Sequence, residues 1–147
     1  MPGCILHASG EQFAVDAFLA ESSLAPYKVY HRGEPIRSVT RPGRRREESG
    51  LCLDASSADG DLVAECADVL QFLRTHASEL ARLAQFPGVT DIRLDFAYYR
   101  RKTFLQCDYL PPELLFLAGS LRIGIELSLY PAPSKPRKKP NAKTRSA

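Results

Sequence analysis

Between Asp61 and Gln85 the chain carries one continuous helical signature. At about 100° per residue, Leu62, Cys66, Val69, Leu70, Leu73, Ala77, Leu80 and Ala84 fall in one arc. Asp68, Gln71, Arg74, Thr75, Ser78, Glu79 and Arg82 fill the opposite arc. Such a stripe belongs to a helix with one face buried against a second layer. Pro87-Gly88 ends it. Burying each large apolar side chain contributes about 1.5–3 kcal/mol, so the rest of the chain must supply a surface for this stripe. At 147 residues it has length for one ordinary domain and not two.

That surface is legible as strands. Cys4 to Ala8 is short and apolar and turns at Ser9-Gly10. A short helix follows, Ala17 to Ser22, with Asp16 as its cap. Tyr27 to Arg32 and Gly50 to Ala55 read as strands two and three. Val89 to Tyr98 alternates, with Ile92, Leu94, Phe96 and Tyr98 on one side and Arg93, Asp95 and Ala97 on the other. Thr103 to Tyr109 is a fifth strand, Pro111-Pro112 opens a helix stopped at Gly119, and Ile123 to Tyr130 alternates again. The expected fold is α+β: a ferredoxin-like β-α-β-β-α-β antiparallel sheet with helices on one face, extended by a C-terminal β-α-β. Residues 1–131 form a single domain, and residues 132–147 read as a disordered basic tail.

The net charge of +3 averages unlike parts. The last fourteen residues carry six basic side chains and no acid, which leaves the body with 14 Lys and Arg against 17 Asp and Glu. No apolar run approaches the roughly 18 residues of a membrane span, and no secretory leader is visible. The four cysteines, Cys4, Cys52, Cys66 and Cys107, form no CxxC pair. They read as reduced thiols of a cytoplasmic protein. Phosphate-binding glycine loops, HExxH and GxSxG are absent from the sequence. No cofactor and no metal site are expected.

Gly10-Glu11-x-Phe13 with Val15-Asp16-Ala17-Phe18-Leu19, Arg32-Gly33-Glu34-Pro35 and Ser49-Gly50 stand in order along the chain. Phe86-Pro87-Gly88-Val89, Leu94-Asp95-Phe96, Tyr109-Leu110-Pro111-Pro112-Glu113-Leu114, Ala118-Gly119-x-Leu121 and Ile125-Glu126-x-Ser128-x-Tyr130-Pro131 follow. In this order and spacing the body resembles the bacterial domain of unknown function 4279. Arg122 departs from that pattern, which has glycine there. The resemblance implies a compact α+β bacterial domain and carries over no catalytic residue.

Five constellations are candidates for function. Alternation places Arg93, Asp95, Glu126 and Ser128 on the sheet face away from the helices, with Asp54, His7, Lys28, Tyr30 and Arg32 beside them. Such a set suits acid–base chemistry or a protein interface, although any one-sided sheet shows polar residues there. Arg32 and Glu34, flanking Gly33, suit a clamp on a carboxylate or phosphate; the plainer reading is a tight turn. His76 reads as a core-edge histidine. Cys4, Cys52 or Cys107 with His7 and Asp95 would make a Cys–His–Asp set, but packing explains these cysteines better. The loop containing Arg41, Arg44, Arg45 and Arg46, with the tail containing Lys138 and Lys139, suits phosphate backbones.

Three functions follow in order of preference. The first is a noncatalytic protein-interaction module, immunity- or antitoxin-like, whose partner is another protein. The second is nonspecific nucleic-acid association through the basic segments. The third is an enzyme using acidic and His residues of the open sheet face, which requires a pocket joining at least two of His7, Asp54, Asp95 and Glu126. None involves a membrane.

Overall fold

A computed structural model describes residues 3–132, so the Lys138 and Lys139 expectation and most of the expected tail lie outside the described residues. The described residues form an α+β fold with a five-stranded mixed sheet and four helices. The elements are β1 (Cys4–Gly10), α1 (Val15–Ala20), β2 (Lys28–Tyr30), β3 (Ser49–Asp54), α2 (Leu62–Thr75), α3 (Ala77–Gln85), β4 (Asp91–Tyr99), α4 (Pro112–Ser120) and β5 (Gly124–Tyr130). The strand order is β2-β3-β1-β4-β5. The first four strands pair antiparallel, and β5 joins β4 in parallel.

The inward side chains of the sheet, among them Leu6, Leu51, Leu94 and Phe96, join Phe18, Val69, Leu73, Leu80, Leu83 and Leu114 of the helices in one buried cluster. The expected helix 61–85 is two helices. At His76 the backbone leaves helical angles (φ −107°, ψ 14°), and its ring lies 4.8 Å from that of Phe72. The kink rephases the stripe: Ala77 turns outward, and Leu83 takes an inward place. Asp61 caps α2, accepting from the amides of Val63 (3.0 Å) and Ala64 (3.3 Å). Asp16 is no cap; it lies in the first turn of α1, behind Ala14.

The fifth strand expected at Thr103–Tyr109 is absent, and the sheet is not wholly antiparallel. Arg101 closes that segment into a loop, donating to the Cys107 carbonyl (2.7 Å) and Asp108 (3.0 Å), while the Tyr98 hydroxyl holds Asp108 from below (3.1 Å). The final β-α-β therefore begins with β4 itself. Its helix supplies the crossover that a parallel pair requires, and β5 lies parallel to β4.

Gly119 does not stop α4. The helix runs on to Ser120 and ends at Arg122, whose φ is +58°. The amide of Ile123 donates to Ala118 O (2.8 Å) and that of Arg122 to Gly119 O (3.0 Å), a Schellman closure that favours glycine at position 122. Arg122→Gly is expected to raise stability by about 1 kcal/mol, read as a melting temperature roughly 3 °C higher.

Candidate functional site on the open sheet face

With the helices on one side, the other face of the sheet is set by strand register. Lys28, Cys52, His7 and Arg93 are successive neighbours across β2, β3, β1 and β4. The adjacent row runs Asp54, Ile5, Asp95 and Glu126 across β3, β1, β4 and β5. Ser128 stands opposite Ala97, and Tyr30 opposite Gly50. Two-residue alternation alone therefore located most of this face.

Its electrostatics are uneven. Arg93 is held from two sides, by Asp91 and by Glu126 (Nε to Oε2, 2.6 Å). Asp54 and Asp95 have no ion-pair partner among the described residues, and Asp95 Oδ1 has no hydrogen-bond donor. At about 4.8 Å per strand, Asp54 and Asp95 stand roughly 10 Å apart with Ile5 between them. Carboxylates outnumber cations on this patch, so it attracts positive charge.

His7 and Cys52 touch, Nδ1 to Sγ at 3.4 Å. Burial, then the neighbouring Arg93, holds the His7 pKa below its ordinary value, and burial raises that of the Cys52 thiol. Both shifts favour the neutral pair, whereas a thiolate nucleophile needs a lowered thiol pKa. Cys52 is 3% exposed. The contact is one of packing.

Tyr30 lies over Gly50, where any Cβ would collide with its hydroxyl. The Arg46 guanidinium sits 4.2 Å above its ring, and Ser9, within reach of the Tyr30 hydroxyl, donates to Glu48 Oε2 (2.8 Å). Burial raises the Tyr30 pKa. Arg32 and Glu34 fall beyond the strand rows, because β2 ends at Tyr30 and Gly33 (φ +86°) turns the chain away. They form no clamp. Glu34 bonds His31 Nδ1 (2.8 Å), whose Nε2 bonds Asp16 (2.8 Å), and these two bonds raise the His31 pKa.

No family model, curated protein or solved structure matches the chain. The assignment of a role therefore rests on geometry.

Two geometric facts bear on the weaker candidates. Asp54 lines a concavity of about 360 Å³ with Ser56, Asp68 and Gln71, none of them the His7, Asp95 or Glu126 that an acid–base set on this face would need. Arg44, Arg45 and Arg46 line a shallow hollow of about 230 Å³ shared with Glu11, Glu47 and Glu48. Two of the three arginines are already engaged, Arg46 on Tyr30 and Arg45 on the Gly33 carbonyl (2.8 Å). No three His, Cys, Asp or Glu side chains are grouped as metal ligands among the described residues, and no helix there is long and apolar enough to cross a membrane.

Sequence reasoning missed one titratable group. Glu65 of α2 is 0% exposed, and among the described residues neither carboxyl oxygen has a hydrogen-bond partner of good geometry; the Gly60 amide offsets its burial only in part. Burial, with Asp61 and Asp95 adding repulsion, raises its pKa from 4.5 to about 7. Its place beside Cys66 on the inner flank of the stripe was the available signal.

Proposed function

We propose that this chain is a noncatalytic protein-interaction module of the immunity or antitoxin kind, and that its open sheet face docks a basic surface of another protein. The observation that carries this is the row Asp54, Ile5, Asp95, Glu126: carboxylates side by side on the sheet face away from the helices, two of them without a cation of their own among the described residues. Charged side chains spread along neighbouring strands give partner choice and association rate. We also read the first four strands as a ferredoxin-like core, supported by the order β2-β3-β1-β4 and its antiparallel pairings. Membership of the domain of unknown function 4279 is supported by the meeting of two of its motifs, since Gly10 packs on Gly88 and Phe13 on Phe86.

The test is capture of partners from host lysate on the immobilised 147-residue chain. Wild type is expected to retain a partner that the Asp54→Lys, Asp95→Lys double variant loses by at least about tenfold, with affinity falling as salt rises. Retention unchanged by the double reversal would overturn this reading.

A further inference from the structure

The two edges of the sheet are built differently. β2 has three residues, one of them Lys28, and a short charged edge resists pairing with another chain. β5 has seven residues, Gly-Ile-Glu-Leu-Ser-Leu-Tyr, with no lysine, no proline and no neighbour on its outer side among the described residues. Leu127 is 41% and Leu129 47% exposed on it. Long apolar edges of this kind are templates for strand addition.

The main chain of β5 also shows which residues offer hydrogen bonds. The Tyr130 carbonyl accepts from the Arg100 amide (2.8 Å), so Tyr130 faces β4. Main-chain groups alternate along a strand, which turns those of Ile125, Leu127 and Leu129 outward. We propose that β5 pairs antiparallel with β5 of a second copy of this chain, about a two-fold axis at Leu127.

This register is self-complementary at every position. Leu127 meets Leu127, and Ile125 meets Leu129, each pair exchanging both main-chain bonds while stacking apolar side chains on the helix side. Glu126 meets Ser128, so no two carboxylates oppose each other. Tyr130 meets Gly124, whose Cβ position is free of any contact closer than 3.7 Å. The chain already uses that pairing internally, where Tyr30 covers Gly50 across β2 and β3. An axis normal to the sheet keeps both open faces on the same side, so the pairing leaves Asp54 and Asp95 clear and shares only Glu126, at the margin of both surfaces, with the docking role proposed above.

Sedimentation of the 147-residue chain at roughly 10–100 µM reads the result. A concentration-dependent species of twice the chain mass is expected. Leu127→Lys, which sets two ammonium groups opposite each other at an already exposed position, should weaken it by at least about tenfold, with an unchanged circular-dichroism melt of the monomer. Ser128→Glu should weaken it by setting carboxylate against Glu126, and the exchange Glu126→Ser, Ser128→Glu should restore it by recreating a Ser–Glu pair. A monomer throughout that range, a dimer indifferent to Leu127→Lys, or an exchange variant that fails to restore pairing would overturn the proposal.

Discussion

Replacing Glu65 by glutamine is expected to leave stability nearly unchanged at about pH 4 and to raise it by roughly 2–3 kcal/mol at about pH 8. The folded chain holds this carboxyl in the core against Asp61, Asp95, Cys4 and Tyr98, with its pKa lifted from 4.5 to about 7. Below the unfolded value both states keep the proton, and the acid resembles the amide. As pH rises the unfolded chain releases its proton first, so the native state loses stability. The loss is complete once pH passes the folded value. One pKa unit is worth about 1.4 kcal/mol, which sets the scale. Urea unfolding of both proteins across this window reads the group, because titrations not coupled to Glu65 cancel in the difference. A wild-type-minus-variant difference that does not change with pH would show that Glu65 is ionised and satisfied in the fold. Glu65→Leu, which removes the buried polar group altogether, should be more stable than wild type at both ends of the range.

Gly88→Ala is expected to cost roughly 3–4 kcal/mol, combining a left-handed backbone with a backbone collision. Gly88 has φ +86°, and a Cβ there would fall on the Gln12 carbonyl. From the other side, a Cβ on Gly10 would fall on the Gly88 carbonyl. The two glycines let the turn after α3 lie against the end of β1. Phe13, Phe18 and Phe86 close the same corner, with ring centroids 5.3–6.2 Å apart. Gly43 provides the control: its φ is +80°, with nothing within 4 Å of the Cβ position. Gly43→Ala should therefore cost only the backbone part, about 1 kcal/mol. Denaturation midpoints of the two variants separate the contributions, and equal losses would refute the packing argument.

Alternation and helical spacing made much of this molecule legible, because burial on one side is a local constraint. Alternation within each strand puts Arg93, Asp95, Glu126 and Asp54 on one face, and the strand register sets Asp95 beside Glu126 and Asp54 across the intervening β1. What local pattern does not contain is the competition between neighbours. Thr103–Tyr109 has strand-like composition, but Arg101 ties it into a loop, and β5 takes the place beside β4. The stripe from 61 to 85 hides its kink because His76 keeps its amide bond to the Phe72 carbonyl (3.0 Å) while leaving helical angles. Glu34 is engaged by His31, whose other ring nitrogen is held by Asp16, a long-range arrangement that the local sequence does not show. Glu65 is polar by identity and buried by position, a conflict visible only once the layer above it is known.

The docking role of the open face is tested most directly by site-specific photo-crosslinking in host cells, with the reactive residue at Lys28 or Asp54 on that face, or at Ser78 on the exposed side of α3. The same partner band is expected from Lys28 and Asp54, absent from Ser78, and lost from the Lys28 site when Asp95→Lys is added. Crosslinks from Ser78 alone, or of equal strength from all three positions, would contradict the account.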